Sequence, residues 1–162
     1  MMKPNSSMKF DKAEPDDVDE LVVAHAESFS EAEQMYGEGP PGYKNAQWHH
    51  EMINIHSYIK IGDADEVVGG IIIHDKGNGE YFLDTLYVRP SYQGQGIGRK
   101  AVNYIEKVFP DAKKWSLVTP YRDFRNHRFY ESLGYVKVGE LPIKSEGMDP
   151  NFTLFQYEKE VE

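Results

Sequence analysis

The sequence predicts an α/β (α+β) domain with a mixed, mostly antiparallel central sheet of about seven strands and flanking helices. Apolar residues follow strand-like spacing in seven segments and helical spacing in four others. In the middle of the chain, three strands are separated only by short polar turns at 63–65 and 75–79, which indicates antiparallel hairpins. A glycine-rich turn then leads from the third of these strands into an amphipathic helix. The predicted order is β-α-α-β-β-β-α-β-α-β-β.

Local composition justifies each element. Pro15 with two following acids opens the first helix, and a Gly- and Pro-rich stretch at 30–43 predicts a loop after it. Pro110 ends the third helix and Gly134 caps the fourth. The expected strands are 8–13, 57–62, 66–74, 80–89, 115–119, 135–138 and 152–157, and the expected helices are 15–29, 45–55, 97–109 and 124–133. We find no repeat or low-complexity linker, so we expect one domain over 1–162 with its core at about 8–158.

The chain has 162 residues, a formal net charge of −9 and no cysteine. That length suits one compact domain and is short for two. The acidic balance argues against non-specific nucleic-acid binding, which depends on Lys and Arg displacing counterions. The lack of cysteine excludes a disulfide scaffold, a Cys-ligated metal site and a thiol nucleophile.

Targeting features are sparse. Residues 1–8 contain no apolar run typical of a signal peptide, and the most apolar stretch, 67–73, is far shorter than the roughly 20 residues that span a bilayer. We therefore expect a soluble cytoplasmic protein.

The segment 86–100 carries the most chemical information. Glycine at 94, 96 and 98 stands where a strand meets a helix, so successive backbone N–H groups could wrap an anion such as pyrophosphate. A P-loop fails because its second glycine would fall on Arg99, and the dinucleotide fingerprint fails because Arg99 takes its third glycine. The alternative is a glycine-rich turn without a ligand.

This segment matches the pattern Q/R-x-x-G-x-G/A through Gln93, Gly96 and Gly98, after the run Leu-Tyr-Val-Arg-Pro. It resembles the pyrophosphate loop of the GNAT superfamily of acetyl-CoA-dependent N-acyltransferases. The run from Asn126 to Tyr135 resembles the second motif of that family, a helix ending in F-Y-E-x-L-G-F/Y. The element order agrees from about Met8 to Glu158.

The resemblance implies that acetyl-CoA lies where the fourth and fifth strands splay apart. Backbone groups of Leu86 and Val88 would hold the pantetheine arm, and the Val88 N–H would polarise the thioester carbonyl. An amine would then attack directly, without a covalent enzyme intermediate. The cofactor-binding residues expected on this basis are Leu86, Tyr87, Val88, Gln93, Gly94, Gln95, Gly96, Ile97, Gly98, Arg99 and Asn126.

The same resemblance gives Tyr130 the role of proton donor to the leaving thiolate, for which a phenol on a rigid arm is suited. The alternative is a core aromatic residue on an amphipathic helix. The family usually has an Asn seven residues before this tyrosine, and Asp123 stands there instead. Asn126, three residues later and on the same helix face, could replace it or serve only at the helix start.

A primary amine is protonated at pH 7, and reaching its neutral form costs about 4.6 kcal/mol. Asp84 lies within an apolar strand, where burial should raise the pKa of its carboxyl and suit it to act as a base, directly or through water. Glu80 lies four residues back on the same strand face. The alternative for Asp84 is a hydrogen-bonded structural carboxylate.

The histidines His49, His50 and His56 suggest zinc, but Asn54 stands where an HExxH site needs its second histidine, so we expect helix-surface residues and no metal.

The resemblance also implies that the segment between the first two helices caps the acceptor pocket. Its acidic and aromatic residues would suit a cationic amine, and the alternative is an acidic surface loop. These residues are Glu31, Glu33, Tyr36, Glu38, Tyr43 and Trp48.

We therefore expect an N-acetyltransferase that moves an acetyl group from acetyl-CoA, as co-substrate, to a primary amine of a small molecule or peptide. A non-catalytic acyl-CoA-binding module is the alternative. We expect no nucleic-acid or membrane partner and allow for a homodimer. Residues 89–128 hold nine Lys and Arg against three acids, whereas 11–38 hold ten acids and one Lys. This distribution suits an anionic donor and a cationic acceptor.

Overall fold

The computed structural model describes residues 8–36 and 44–161, with side chains throughout except at 31–36. Seven strands form one sheet in the order β1-β2-β3-β4-β5-β7-β6. The strands are β1 Met8–Lys12, β2 Ser57–Asp63, β3 Glu66–Gly77, β4 Glu80–Val88, β5 Lys114–Pro120, β6 Val136–Pro142 and β7 Thr153–Glu160. The helices are α1 Val18–Tyr36, α2 Ala46–Ile55, α3 Ile97–Val108 and α4 Phe124–Ser132.

Neighbouring strands pair antiparallel except for β4 and β5, which are parallel. The predicted fold class, a mixed and mostly antiparallel sheet of seven strands, is thus confirmed. Short turns join β2 to β3 and β3 to β4, as the polar segments between them predict. Among the described residues, no helix combines the length and apolar character needed to cross a membrane.

The sequence-based boundaries are wrong at α1 and at the last hairpin. Helix α1 runs to Tyr36, seven residues beyond the predicted end at 29. Residues 30–36 include several good helix formers, and the glycines of the predicted loop begin only at Gly37. Strand β6 extends to Pro142 because it pairs with β7 as far as Pro142 opposite Thr153. The end of β6 is set by its pairing with β7, which the sequence of β6 alone does not show.

The sheet separates two hydrophobic cores. One lies under α3 and α4 and includes Ile97, Val102 and Ile105 of α3, all nearly inaccessible. The other lies under α1 and α2 and includes Leu21 and Ile53. Helix α3 is therefore held to the sheet by burial of its apolar face, which fixes the position of the turn that precedes it.

A buried chain of aromatic side chains connects α1 and α2 to the sheet. His25 Nδ1 lies 3.3 Å from His49 Nε2, and His49 Nδ1 lies 2.8 Å from the Tyr58 hydroxyl, which in turn bonds the Tyr87 hydroxyl. His25 and His49 are both fully buried. The prediction that His49 lies on a helix surface is therefore wrong, because its side of α2 faces the sheet.

Burial holds both histidines in the neutral form. Desolvation lowers the pKa of His25 to about 3, with a smaller contribution from the charge of His49. Desolvation, with a smaller contribution from the charge of His50, lowers the pKa of His49 to about 4. In the unfolded chain, each would bind a proton near pH 6.5.

We therefore expect stability to fall as the pH drops below 6.5, because the unfolded chain then binds protons that the folded chain does not. At pH 5 the loss relative to pH 7.5 should be about 2 kcal/mol for each histidine. Urea unfolding measured across pH 5–7.5 tests this, and His49→Gln should make the dependence shallower. A free energy of unfolding that stays constant over this range would contradict the assignment.

Candidate active site

Strands β4 and β5 pair only at their beginnings. The register runs from Glu80 opposite Lys114 to Phe82 opposite Ser116 and ends there. Beyond this point β4 stays paired with β3 and β5 with β7, so a wedge-shaped gap opens between 83–88 and 117–120. The expected splay between the fourth and fifth strands is present in the structure.

The β4 edge of this gap carries unpaired backbone groups. The Arg89 N–H donates to the Val68 carbonyl of β3 at 2.8 Å. Because backbone groups alternate in direction along a strand, those of Val88 and Leu86 point the other way, into the gap. The Gln93 side-chain amide donates to the Val88 carbonyl at 2.8 Å. The Val88 N–H and both backbone groups of Leu86 thus face the gap without a partner strand.

The glycine-rich turn leads to a helix N-terminus without a side-chain cap. Gly94 has φ +78° and Gly96, the N-cap of α3, has φ +79°, a conformation that side-chain-bearing residues rarely adopt. The first helical bond runs from the Lys100 N–H to the Gly96 carbonyl at 3.1 Å. The N–H groups of 97–99 consequently have no partner within the helix, an arrangement that attracts anions.

Side chains of the turn fasten it to α4. Gln93 accepts a hydrogen bond from the Arg125 guanidinium at 3.2 Å, and the Arg99 guanidinium donates to the Ser132 hydroxyl at 2.8 Å. These two polar contacts orient the turn relative to the second motif. The polar side chains therefore position the turn, and its backbone presents the hydrogen-bond donors.

Three other predicted cofactor residues have contacts within the protein. A Cβ on Gly98 would lie 3.2 Å from the Phe129 ring, so this glycine permits close packing of α3 on α4. The Gln95 amide donates to the Ser91 carbonyl at 3.4 Å. The Tyr87 ring is buried beneath α1 and stacks on His25 with ring centroids 4.3 Å apart.

Helix α4 places Tyr130 in the core beneath α3. The ring is 6% exposed and lies edge-on to Tyr135, with centroids 5.6 Å apart. Burial, aided by the charge of Asp123, raises the pKa of the Tyr130 hydroxyl well above its ordinary value. This phenol therefore stays protonated at neutral pH.

Asp123 is the N-cap of α4 and accepts a hydrogen bond from the Asn126 N–H at 3.1 Å. Its carboxylate is thus used at the helix start, which accounts for an acid at this position. Asn126 is half-buried and lies one turn before Tyr130 on the same helix face. No side-chain hydrogen bond of Asn126 occurs within the described residues.

Asp84 occupies a β-bulge at the start of the gap. Leu83 lies opposite Ile73 and Thr85 opposite Ile72, so Asp84 is an extra residue in β4. One of its carboxylate oxygens lies 2.8 Å from His74 Nε2 on β3. Burial raises the pKa of the Asp84 carboxyl, opposed in part by the charge of His74.

Glu80 lies apart from this group. It is four residues away along β4, or about 13 Å, at the closed end of the gap. Its carboxylate is 3.1 Å from the Lys114 ammonium and its side chain is half-exposed. The structure therefore does not bring Glu80 to Asp84 and pairs it with Lys114 instead.

Of the predicted acceptor-pocket residues, Trp48 is described, and it packs on His49 with ring centroids 4.9 Å apart. The others lie outside the residues whose side chains are described, namely Glu31, Glu33, Tyr36, Glu38 and Tyr43. Within the part of the chain that the structure describes, no group of His, Asp and Glu side chains could hold a metal ion.

The contact between Asp84 and His74 cannot be predicted from the sequence, because it requires the register of β3 on β4. The hydrogen bond between Gln93 and Arg125, which are 32 residues apart, cannot be predicted from the sequence either. The only sequence feature that could have drawn attention to His74 is its position at the end of the apolar run of β3, on the face of Ile72.

Comparison with known proteins agrees with this geometry. Residues 19–135 match the sequence profile described as the Acetyltransferase (GNAT) family. The chain belongs to this family of acetyltransferases. It is 32% identical over 111 residues to the protein YrkN of Bacillus subtilis (strain 168), a match that covers 68% of this chain and 58% of YrkN.

A second relative is the acetyltransferase Atu2258 of Agrobacterium fabrum, 32% identical over 88 residues, with 52% of this chain and 61% of the relative covered. The matches thus span about three fifths of each curated relative's length.

Solved structures share the fold. The PaiA N-acetyltransferase of Thermoplasma acidophilum, solved with coenzyme A, superposes with a TM-score of 0.77 at 16% identity, covering 96% of this chain and 99% of its own. The ribosomal-protein-S18-alanine N-acetyltransferase of Escherichia coli has a TM-score of 0.72 at 15% identity, covering 95% and 94%. A GNAT acetyltransferase of Elizabethkingia anophelis, solved with acetyl-CoA, has a TM-score of 0.60 at 15% identity, covering 71% and 82%.

Proposed function

We propose that this protein transfers an acetyl group from acetyl-CoA to a primary amine of a small molecule or peptide. The observation that carries the proposal is the gap between β4 and β5, whose unpaired backbone groups lead directly to the uncapped start of α3. Two structures of the same fold hold coenzyme A or acetyl-CoA, which supports the choice of donor.

In this proposal the pyrophosphate of the donor binds the free N–H groups of 97–99. The local charge supports it, because 89–128 contain nine Lys and Arg against three acids. The pantetheine arm extends along β4, bonded to the backbone of Leu86, with the amide of Asn126 available on the opposite wall. Each of these contacts satisfies a polar group that the fold leaves open.

The Val88 N–H is proposed to bind the thioester carbonyl oxygen and stabilise the oxyanion that forms on attack. A fixed backbone donor in a buried gap needs no reorganisation as charge develops, which makes it effective in the transition state. The acceptor nitrogen attacks the carbonyl carbon directly in a ternary complex, and the lack of cysteine is consistent with this because no thiol is available to carry an acyl group.

Proton transfer is assigned to the two faces of the sheet. Tyr130 belongs to the core beneath α3 and α4, and its protonated hydroxyl is proposed to supply a proton to the departing thiolate. Asp84 contacts His74. Ile72, two residues before His74 and on the same face of β3, belongs to the core beneath α1 and α2. The amine therefore approaches from the α1 and α2 face and loses its proton to Asp84, while coenzyme A departs on the other.

A thiol-release assay over a panel of amines tests the function. Acetyl-CoA should yield free thiol at a rate that depends on the amine, and mass spectrometry should find the acceptor heavier by one acetyl group. Acetyl-CoA binding without thiol release for any amine would favour a non-catalytic acyl-CoA-binding module.

Tyr130→Phe removes the proposed acid and should lower kcat about 100-fold without changing acetyl-CoA affinity. Tyr135→Phe is the matched control. It removes a buried hydroxyl in the same cluster that has no hydrogen-bond partner among the described residues, and should leave kcat unchanged. Equal turnover of Tyr130→Phe and wild type would refute the role of Tyr130.

Gly94→Ala should weaken coenzyme A binding, since a left-handed backbone costs an alanine about 1–2 kcal/mol and the turn would relax away from its shape. This corresponds to about a 5- to 30-fold rise in Kd. Gly147→Ala is the control, because Gly147 also has positive φ, at +82°, and open space around it but lies between β6 and β7. Calorimetry with coenzyme A should separate the two, and an equal effect on both would contradict the prediction.

A further inference from the structure

His74 is the central member of a small polar cluster that borders the gap. Its Nε2 atom lies 2.8 Å from Asp84 Oδ2, and its ring stacks on that of His56 with centroids 3.6 Å apart and planes 9° apart. His56 stands directly after α2, so the cluster joins that helix end to β3 and β4.

The cluster connects the gap to solvent. Asp84 follows the last β4–β5 pair by two residues, and its bulge directs the side chain away from the regular strand alternation. His74 is one strand further from the gap. About a quarter of each side chain is exposed, 26% for His74 and 27% for Asp84. A proton collected at Asp84 therefore has a short route to water through His74.

We propose that Asp84 and His74 form one proton-accepting pair, in which Asp84 takes the proton from the acceptor amine and His74 is the positioning residue that shares it and releases it to water. This inference rests on the proposed acetyltransferase function and extends it by a residue on a different strand. His56 serves as a flat surface that holds the His74 ring in place.

Burial changes the proton affinities of Asp84 and His74 in opposite directions. An ordinary carboxyl has a pKa about three units below neutrality and is a weak base there. Burial raises the pKa of Asp84 and lowers that of His74, so the two pKa values move towards each other and the two side chains compete for one proton. Besides Asp84, the charges that face His74 are those of His56 and Lys76, and both oppose its protonation.

The ammonium form of the acceptor gives one proton to Asp84, and His74 passes it to water. The neutral nitrogen forms a bond to the thioester carbon, and collapse of the adduct breaks the C–S bond. The thiolate takes the Tyr130 proton, the second amine proton leaves through the same pair, and water restores the Tyr130 proton. The products are an amide, coenzyme A and one proton.

His74→Gln tests the pair, because glutamine places an uncharged amide near Asp84 but cannot gain a proton. At pH 7, kcat/KM for a strongly basic amine should fall about 100-fold. It should then rise about tenfold per pH unit as the fraction of neutral amine increases. Acetyl-CoA affinity, measured by calorimetry, should stay at the wild-type value.

His56→Phe is the matched control, since it keeps the stacked ring and removes the ionisable group. It should keep kcat/KM within a few-fold of the wild-type value, with the pH profile displaced towards higher pH because a charge that opposes protonation of His74 is lost. A weakly basic acceptor that is already neutral at pH 7 provides a second control. With this acceptor, the fold loss of kcat/KM caused by His74→Gln should be less than a tenth of the fold loss with the basic amine. These comparisons separate proton transfer from a general effect on folding.

An NMR titration of the His74 ring in the wild type and in Asp84→Asn measures the coupling without catalysis. Loss of the carboxylate should lower the apparent pKa of His74. An active wild type whose pH profile survives His74→Gln, or an unchanged His74 titration in Asp84→Asn, would overturn the pair alone. A wild type that binds acetyl-CoA and acetylates no amine would overturn the proposed function, and this assignment with it.

Discussion

The separation of β4 from β5 is the constraint on which the rest of the site depends. Parallel pairing stops after Phe82 and Ser116, but β4 remains paired with β3 and β5 remains paired with β7 along the rest of the gap. The β4 edge beyond this point has no partner strand, so its backbone groups depend on solvent for hydrogen bonds. A ligand that bonds to this edge replaces water at groups that are already correctly oriented. The backbone groups of Leu86 and Val88 are thus available for binding without any rearrangement of the sheet.

The two cores keep the gap open from opposite sides. Helix α3 buries Ile97, Val102 and Ile105 against the sheet, which fixes the turn that carries Gly94 and Gly96. Helices α1 and α2 are attached by the buried chain from His25 to the Tyr87 hydroxyl. Because Tyr87 stands between the two gap-facing residues of β4, this chain also holds the reactive edge in register. Under the proposed function, the acceptor amine would consequently approach the gap from the face of the sheet covered by α1 and α2, opposite the face covered by α3 and α4.

Sequence reasoning recovered the features that depend on local spacing. Alternation and helical periodicity placed the seven strands and four helices of the described residues, apart from the ends of α1 and β6. The glycines located the turn because Gly94 and Gly96 adopt backbone angles that other residues rarely accept. It failed where a side chain's surroundings depend on distant strands. The burial of His49, the bulge at Asp84 and the ion pair that holds Glu80 at Lys114 each follow from packing or register between segments. The link between Asp84 and His74 belongs to the same group.

Hydrogen–deuterium exchange at single amides tests the central claim most directly, because it observes the unpaired groups themselves. The amides of Leu86, Val88 and 97–99 should exchange quickly in the free protein and slow markedly when acetyl-CoA is added. The buried β3 amides that pair with β4 provide the internal reference and should change little. Binding of acetyl-CoA with no protection at Leu86 and Val88 would contradict the account, because the gap between β4 and β5 would then not be the donor site.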